Sequence, residues 1–216
     1  MKDRLEQGNT ATREKIVLAA SAHFFANGHR GVTMEELARI VGVSKKTLYV
    51  YFPTKISILE AVMNRKFAEV FVSLDAERRA HPESSVAALS AVIFRWQELL
   101  SCMQPVFWHD LHLDASSFLE STVEKRRNII HNVFGRIITE GIESGEFRGD
   151  FNPHVIADIM LATIEGLVRS GKHIEMGISQ REIMLMLVTL IIEGSLTDAG
   201  RKSWGEGCKA LAKHTF

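Results

Sequence analysis

Three consecutive donors, Lys45, Lys46 and Thr47, follow Ser44 and run into two apolar residues four apart, Leu48 and Phe52. On a short helix, Leu48 and Phe52 face a core while the three polar side chains project from the opposite, exposed first turn. Such a turn can enter the major groove of double-stranded DNA, where lysine donates to guanine O6 and N7 and threonine offers a hydroxyl or a methyl contact. Tyr49, Tyr51 and Lys55 are suited to phosphates, contacts that position a protein without reading sequence. The blander alternatives are a helical hairpin that never meets DNA and, separately, Tyr49 as a core phenol and not a phosphate ligand.

Two helices and a tight turn must hold this surface, and the preceding residues supply each part. Thr33 as N-cap with Glu36 three residues on predicts a capping box. Leu37, Ile40 and Val41 form a stripe for burial, and Ala38 is small enough for a second helix to cross close by. Gly42 can take the left-handed conformation that a sharp turn between helices demands. Val43 is expected to bury in that turn, and Ser44 to cap the next helix. Pro53 limits that helix, since the residue before a proline avoids the helical region.

At these positions the sequence resembles the TetR-type (TetR/AcrR) regulators. The resemblance is carried by Thr33, Leu37, Ala38, Gly42, Val43, Ser44, Thr47, Leu48, Tyr49, Tyr51, Phe52 and Lys55, and covers about residues 10–60. It departs from the family's habit at His29, where an aromatic Tyr or Phe is usual, and at Lys46, where glycine is common. The resemblance implies an all-α protein, with a three-helix helix-turn-helix DNA-binding domain at 1–56 and a larger helical domain for effector binding and dimerisation at 57–216. It also implies two heads on a two-fold axis reading a palindromic operator, and a small, largely apolar effector that releases a repressor from it.

Composition agrees with such a division. The formal net charge is zero, but residues 1–56 hold nine Lys and Arg against five Asp and Glu, a surplus of four that the remainder reverses. A basic module on a mildly acidic body is the expected electrostatic arrangement. No apolar run after the N-terminus suits a signal peptide, and Ile183–Ile192 is too short to span a bilayer, so a cytoplasmic chain with no membrane partner is expected. Cys102 and Cys208 lack ligand spacing, and both are read as reduced structural thiols.

The rest of the chain reads as helix without strand signals. Thr10 or Thr12 can cap a first helix whose stripe is Ile16, Ala19, Ala20 and Phe24, ending at Asn27-Gly28. A long helix follows from Lys55 toward Arg79, broken at His81-Pro82. Others are expected near 84–101, 105–112, 117–144, 153–171 and 180–196, with Ser117 and Glu120 as a capping box and a polar, undefined tail after Thr197.

Segment 183–192 is apolar around its circumference and needs a second partner. With the helix from Pro153 it could form half of an intermolecular four-helix bundle. Ile159, Ile183, Leu187, Leu190 and Ile191 are the dimer candidates, unless 183–192 is a central core helix of a monomer. Effector candidates are Trp96, Met103, Phe107, Trp108, His109, His112, Phe118, Phe134 and Met160, each of which ordinary core packing would also explain. His109 and His112 stand one turn apart, a spacing able to bind a divalent metal, but no third ligand is fixed and no metal or cofactor is expected. Glu124-Lys-Arg-Arg127 reads as a solvated helix face. No nucleophile and base pattern or phosphate loop favours an enzyme. A DNA-binding regulator without an effector, acting as an activator or through partner proteins, stays open.

Overall fold

A computed structural model describes the backbone of residues 2–170 and 172–213, and within these the side chains of 10–114, 120, 122–163, 165–167, 170, 172, 175–179, 182, 183 and 185–205. The described residues form twelve α-helices: α1 (Lys2–Asn27), α2 (Met34–Val41), α3 (Lys45–Tyr51), α4 (Lys55–Ala80), α5 (Ser85–Leu100), α6 (Pro105–Leu113), α7 (Ala115–Ile129), α8 (Arg136–Glu143), α9 (Pro153–Ser170), α10 (Lys172–Glu175), α11 (Gln180–Ser195) and α12 (Asp198–Lys213). The only extended pairing among them is an isolated bridge between Phe147 and Leu196. No single helix among the described residues is long and apolar enough to cross a membrane.

Packing divides the chain into two compact units. One comprises residues 1–66 and 102–122, the other 67–101 and 123–216. Packing thus groups α6 with the head helices, which a division after residue 56 keeps apart.

The head unit buries Ile16, Ala20 and Phe24 of α1 as their stripe predicts, together with Val17 and Phe25. Leu37, Ala38 and Val41 of α2, Leu48 and Phe52 at α3, and Ile58, Leu59, Val62 and Met63 of α4 complete the helical core. From α6, Phe107 and Leu111 enter the same core fully buried. The Phe107 ring stands edge-on to Phe25 with centroids 5.0 Å apart, and the Gln104 N–H donates to the Phe25 carbonyl at 2.8 Å.

A polar cluster completes this junction. His29 is buried and its Nε2 lies 2.8 Å from Asp114 Oδ2. The Arg30 N–H donates to Asp110 Oδ2 at 2.8 Å, and Arg30 Nη1 to Asp114 Oδ1 at 3.3 Å. Gly28 makes the approach possible: its φ is +75°, and a Cβ there would run into the Asp110 carboxylate. An imidazole at 29 thus hydrogen-bonds the Asp114 carboxylate, with Asp110 Oδ2 3.9 Å from its other ring nitrogen, which the phenyl ring of Phe could not do.

The second unit packs α5, α8, α9, α11 and α12 around Leu74, Leu89, Phe134, Phe147 and Ile192. Between α7 and α8, residues Ile130–Gly135 form a π-helical turn where the sequence predicts one straight helix over 117–144. The buried residues explain it. Ile129, Val133 and Ile137, and likewise Ile130, Phe134 and Ile138, repeat every fourth residue. A strict repeat of four drifts by about 40° per turn around an α-helix, and a wider turn returns the stripe to the core.

Several other expectations are corrected. Helix α1 begins at Lys2, so Thr10 and Thr12 lie inside it instead of capping it, in a stretch rich in good helix formers such as Leu5, Glu6, Gln7 and Ala11. Helix α7 begins at Ala115, which places Ser117 within the helix and not at its N-cap. The described part of the tail after Thr197 is the helix α12, Asp198–Lys213, despite three glycines, because Trp204 is buried in the second core and tertiary packing outweighs propensity. Arg126 is not on a solvated face: it is buried and donates to Glu165 at 2.7 Å.

Candidate nucleic-acid interface

Each local device between Thr33 and Phe52 has a visible function. Thr33 Oγ1 accepts from the Glu36 N–H at 3.1 Å, the hydroxyl half of the expected capping box. Gly42 adopts φ +77° and ψ +36°, its N–H reaching the Ala38 carbonyl at 3.0 Å. No atom lies within 4 Å of where its Cβ would stand, so the glycine is required by backbone conformation and not by crowding. Val43 and Ile40 are half-buried instead of fully buried. Ser44 Oγ accepts from the Thr47 N–H at 2.9 Å and lies 2.7 Å from Thr47 Oγ1. This fixes the first turn of α3.

The two helices dock through Leu37, Val41, Leu48 and Phe52, all buried, and the Arg13 guanidinium lies over the Phe52 ring at 4.9 Å from its centroid. What remains outside is the predicted reading surface, with its members in different states. Lys46 is exposed and has no partner among the described residues. Lys45 is exposed but ion-paired with Glu35 of α2. Thr47 is half-buried, its hydroxyl against Ser44. Tyr49 is exposed and Tyr51 half-buried. Lys55 donates to the carbonyls of Arg30 and Val32, both at 2.9 Å, and so ties the start of α4 to the loop before α2. Of three ammonium protons, one stays available to a phosphate. Val50, absent from the expected site, is 74% exposed on the same helix.

The Lys45 hydrogen bond, with its charge, holds the Glu35 carboxyl below the ordinary glutamate range and raises Lys45 in return. A depressed carboxyl pKa means the pair is formed at neutral pH and lost as pH falls through that lowered value. Glu35→Gln should therefore free Lys45 at neutral pH. With the fold unchanged, the slope of log affinity against log salt for duplex DNA should steepen by about one phosphate contact. An unchanged slope would show that Lys45 reaches the backbone despite Glu35.

Residues 16–62 match the model of the bacterial regulatory proteins of the tetR family. The head belongs to that family. Over longer stretches the chain is 26% identical to the HTH-type transcriptional repressor BepR of Brucella suis across 176 residues, covering 77% of this chain and 83% of that protein. It is also 26% identical to the fatty acid metabolism regulator protein of Bacillus subtilis across 161 residues, 71% of this chain and 80% of that one. Among solved structures it superposes on SmeT, the repressor of the Stenotrophomonas maltophilia multidrug efflux pump SmeDEF, with a TM-score of 0.63, 19% identity and coverage of 89% and 94% of the two chains. The complex of SmeT with triclosan matches with a TM-score of 0.62 at 21% identity, which establishes a shared fold. Beyond the head, the chain is similar over most of its length to curated transcription regulators and shares the fold of TetR-type repressors.

The effector candidates fall into both units. Met103, Phe107, His109 and His112 belong to the head unit, the first two buried, His109 exposed and His112 half-buried. Trp108 is half-buried beside Phe107. Trp96, Phe134 and Met160 belong to the second unit, where half-buried Trp96 stands 5.1 Å from Phe134 between ring centroids. The Phe118 side chain lies outside the described residues, as does that of Cys208, while Cys102 is exposed and in no disulfide among the described residues. Among the described residues no group of three or more His, Cys, Asp or Glu is placed to hold a metal ion. Of the dimer candidates, Ile159 is 50% and Leu190 64% exposed, with Ile183, Leu187 and Ile191 half-buried.

Proposed function

We propose that this regulator is a homodimeric repressor that holds a palindromic operator through its two heads and releases it when a small, largely apolar effector binds in the second unit. The observation that carries the reading is the head itself: a capped, glycine-turned helix pair whose outer face offers Lys46, Tyr49 and a clamped Lys55 to a duplex. Pairing is supported by the outer faces of α9 and α11, where Val155 and Ile159, and Met186 and Leu190, are all exposed. Four large apolar side chains on two mutually packed helices favour a second copy as their cover.

For the effector we take Trp96, Phe134 and Met160 as the contact set, an aromatic and thioether surface. SmeT in complex with triclosan supports an apolar small molecule as its class. Effector binding that favours a head spacing misfitting the two half-sites weakens operator affinity, and linkage requires DNA to weaken effector binding by the same factor. The test titrates the protein with a panel of small apolar aromatics, triclosan among them, with and without operator duplex. A compound whose affinity falls on adding operator, as operator affinity falls on adding the compound, supports the mechanism. Equal affinities in both states, or tighter operator binding, would overturn it.

A further inference from the structure

We propose that Val50, with Lys46, reads sequence in each operator half-site: Val50 packs on the C5-methyl of a thymine while Lys46 donates to O6 or N7 of a neighbouring guanine. This rests on the reading above that α3 lies in the major groove.

Leu48 is fully buried and fixes the inward direction of α3. At about 100° per residue, Lys46 and Val50 then lie on the two flanks of the direction opposite Leu48, one turn apart, and form the outermost line of the helix. The other expected readers are occupied within the head. Lys45 is paired with Glu35, and the Ser44 and Thr47 hydroxyls hold each other at 2.7 Å. That leaves Lys46 with its donors unspent.

Val50 needs a different account, because a β-branched side chain 74% exposed on a seven-residue helix adds neither core packing nor helix propensity. It is not part of an apolar protein-docking patch, since Lys46, Tyr49, Pro53 and Thr54 around it in sequence are exposed and mostly polar. In a major groove the apolar feature that such a side chain can meet is the thymine methyl. A lysine beside it adds the guanine contact, so the recognised step pairs thymine with guanine on neighbouring positions.

The test uses the full-length protein and duplexes selected from a randomised library. In the selected site each half-site thymine is replaced in turn by deoxyuridine, which removes only the methyl group. Wild type is expected to lose about 3- to 5-fold per half-site at one thymine position. Val50→Ala, an exposed change to a better helix former, should lose about the same on the thymine duplex and be indifferent to deoxyuridine there. Lys46→Ala should relax the preference for guanine at the adjacent position. The inference is overturned if wild type ignores every methyl removal, or if Val50→Ala still responds to it as wild type does. Failure of wild type to select any duplex would instead overturn the DNA-binding reading, and this inference with it.

Discussion

Replacing Phe107 by alanine is expected to destabilise the head unit by about 3–5 kcal/mol, although the residue lies far downstream of the helix-turn-helix. Its ring is fully buried, edge-on to Phe25, and 6.3 Å from the His29 ring between centroids. Removing it opens a cavity where α6 meets α1, and the His29, Asp110 and Asp114 cluster loses the apolar wall beside it. Hydrogen exchange would locate the effect, with amides of α1 to α3 losing protection while those around Phe134 in the second unit keep theirs. Phe134→Ala serves as the converse control. Unchanged protection in α1 to α3 would mean that α6 contributes nothing to the head's stability, and would return Phe107 to the effector candidates.

The second large effect is expected at the outer faces of α9 and α11. Ile159→Glu combined with Leu190→Glu places like charges on a surface proposed to meet its own copy, where burial of unpaired carboxylates is prohibitive. The mass in sedimentation should fall from twice 24.2 kDa to 24.2 kDa. Operator affinity should drop by about 10²- to 10⁴-fold as two linked heads become independent. Both side chains are exposed in the isolated chain, so helicity and monomer stability should hold within about 0.5 kcal/mol. A variant that stays dimeric would move the interface elsewhere.

The helix-turn-helix was legible because each of its devices is local. A cap needs a hydroxyl and an N–H three residues apart, and a turn needs one residue able to take positive φ. Thr33, Gly42 and Ser44 carry that information within a few positions of where they act. What escaped depends on partners distant in the chain. Nothing near Lys55 says that its donors go to the carbonyls of Arg30 and Val32, nor near Lys45 that Glu35 will hold it.

His29 stood out only as a departure, and its reason appears once α6 brings Asp110 and Asp114 to it. Val50 carries no signal in the sequence even with Leu48 turned inward, because a lone valine on a surface helix is ordinary until its 74% exposure places it on the outermost line. In the second unit the four-residue repeat from Ile129 to Ile138 was present in the sequence, and it marks a wide turn that a plain helical reading absorbs. Helix α12 was hidden by its glycines and revealed by the burial of Trp204.

The central claim is that two copies of the head, spaced by the second unit, hold one symmetric operator. Footprinting the full-length protein on the DNA upstream of its own gene tests it most directly. Two protected half-sites related by a two-fold axis, their centres one helical turn of about 34–36 Å or a multiple apart, are expected, and both should vanish together in the Ile159→Glu, Leu190→Glu variant. A single asymmetric half-site, protected equally by wild type and by that variant, would contradict the account.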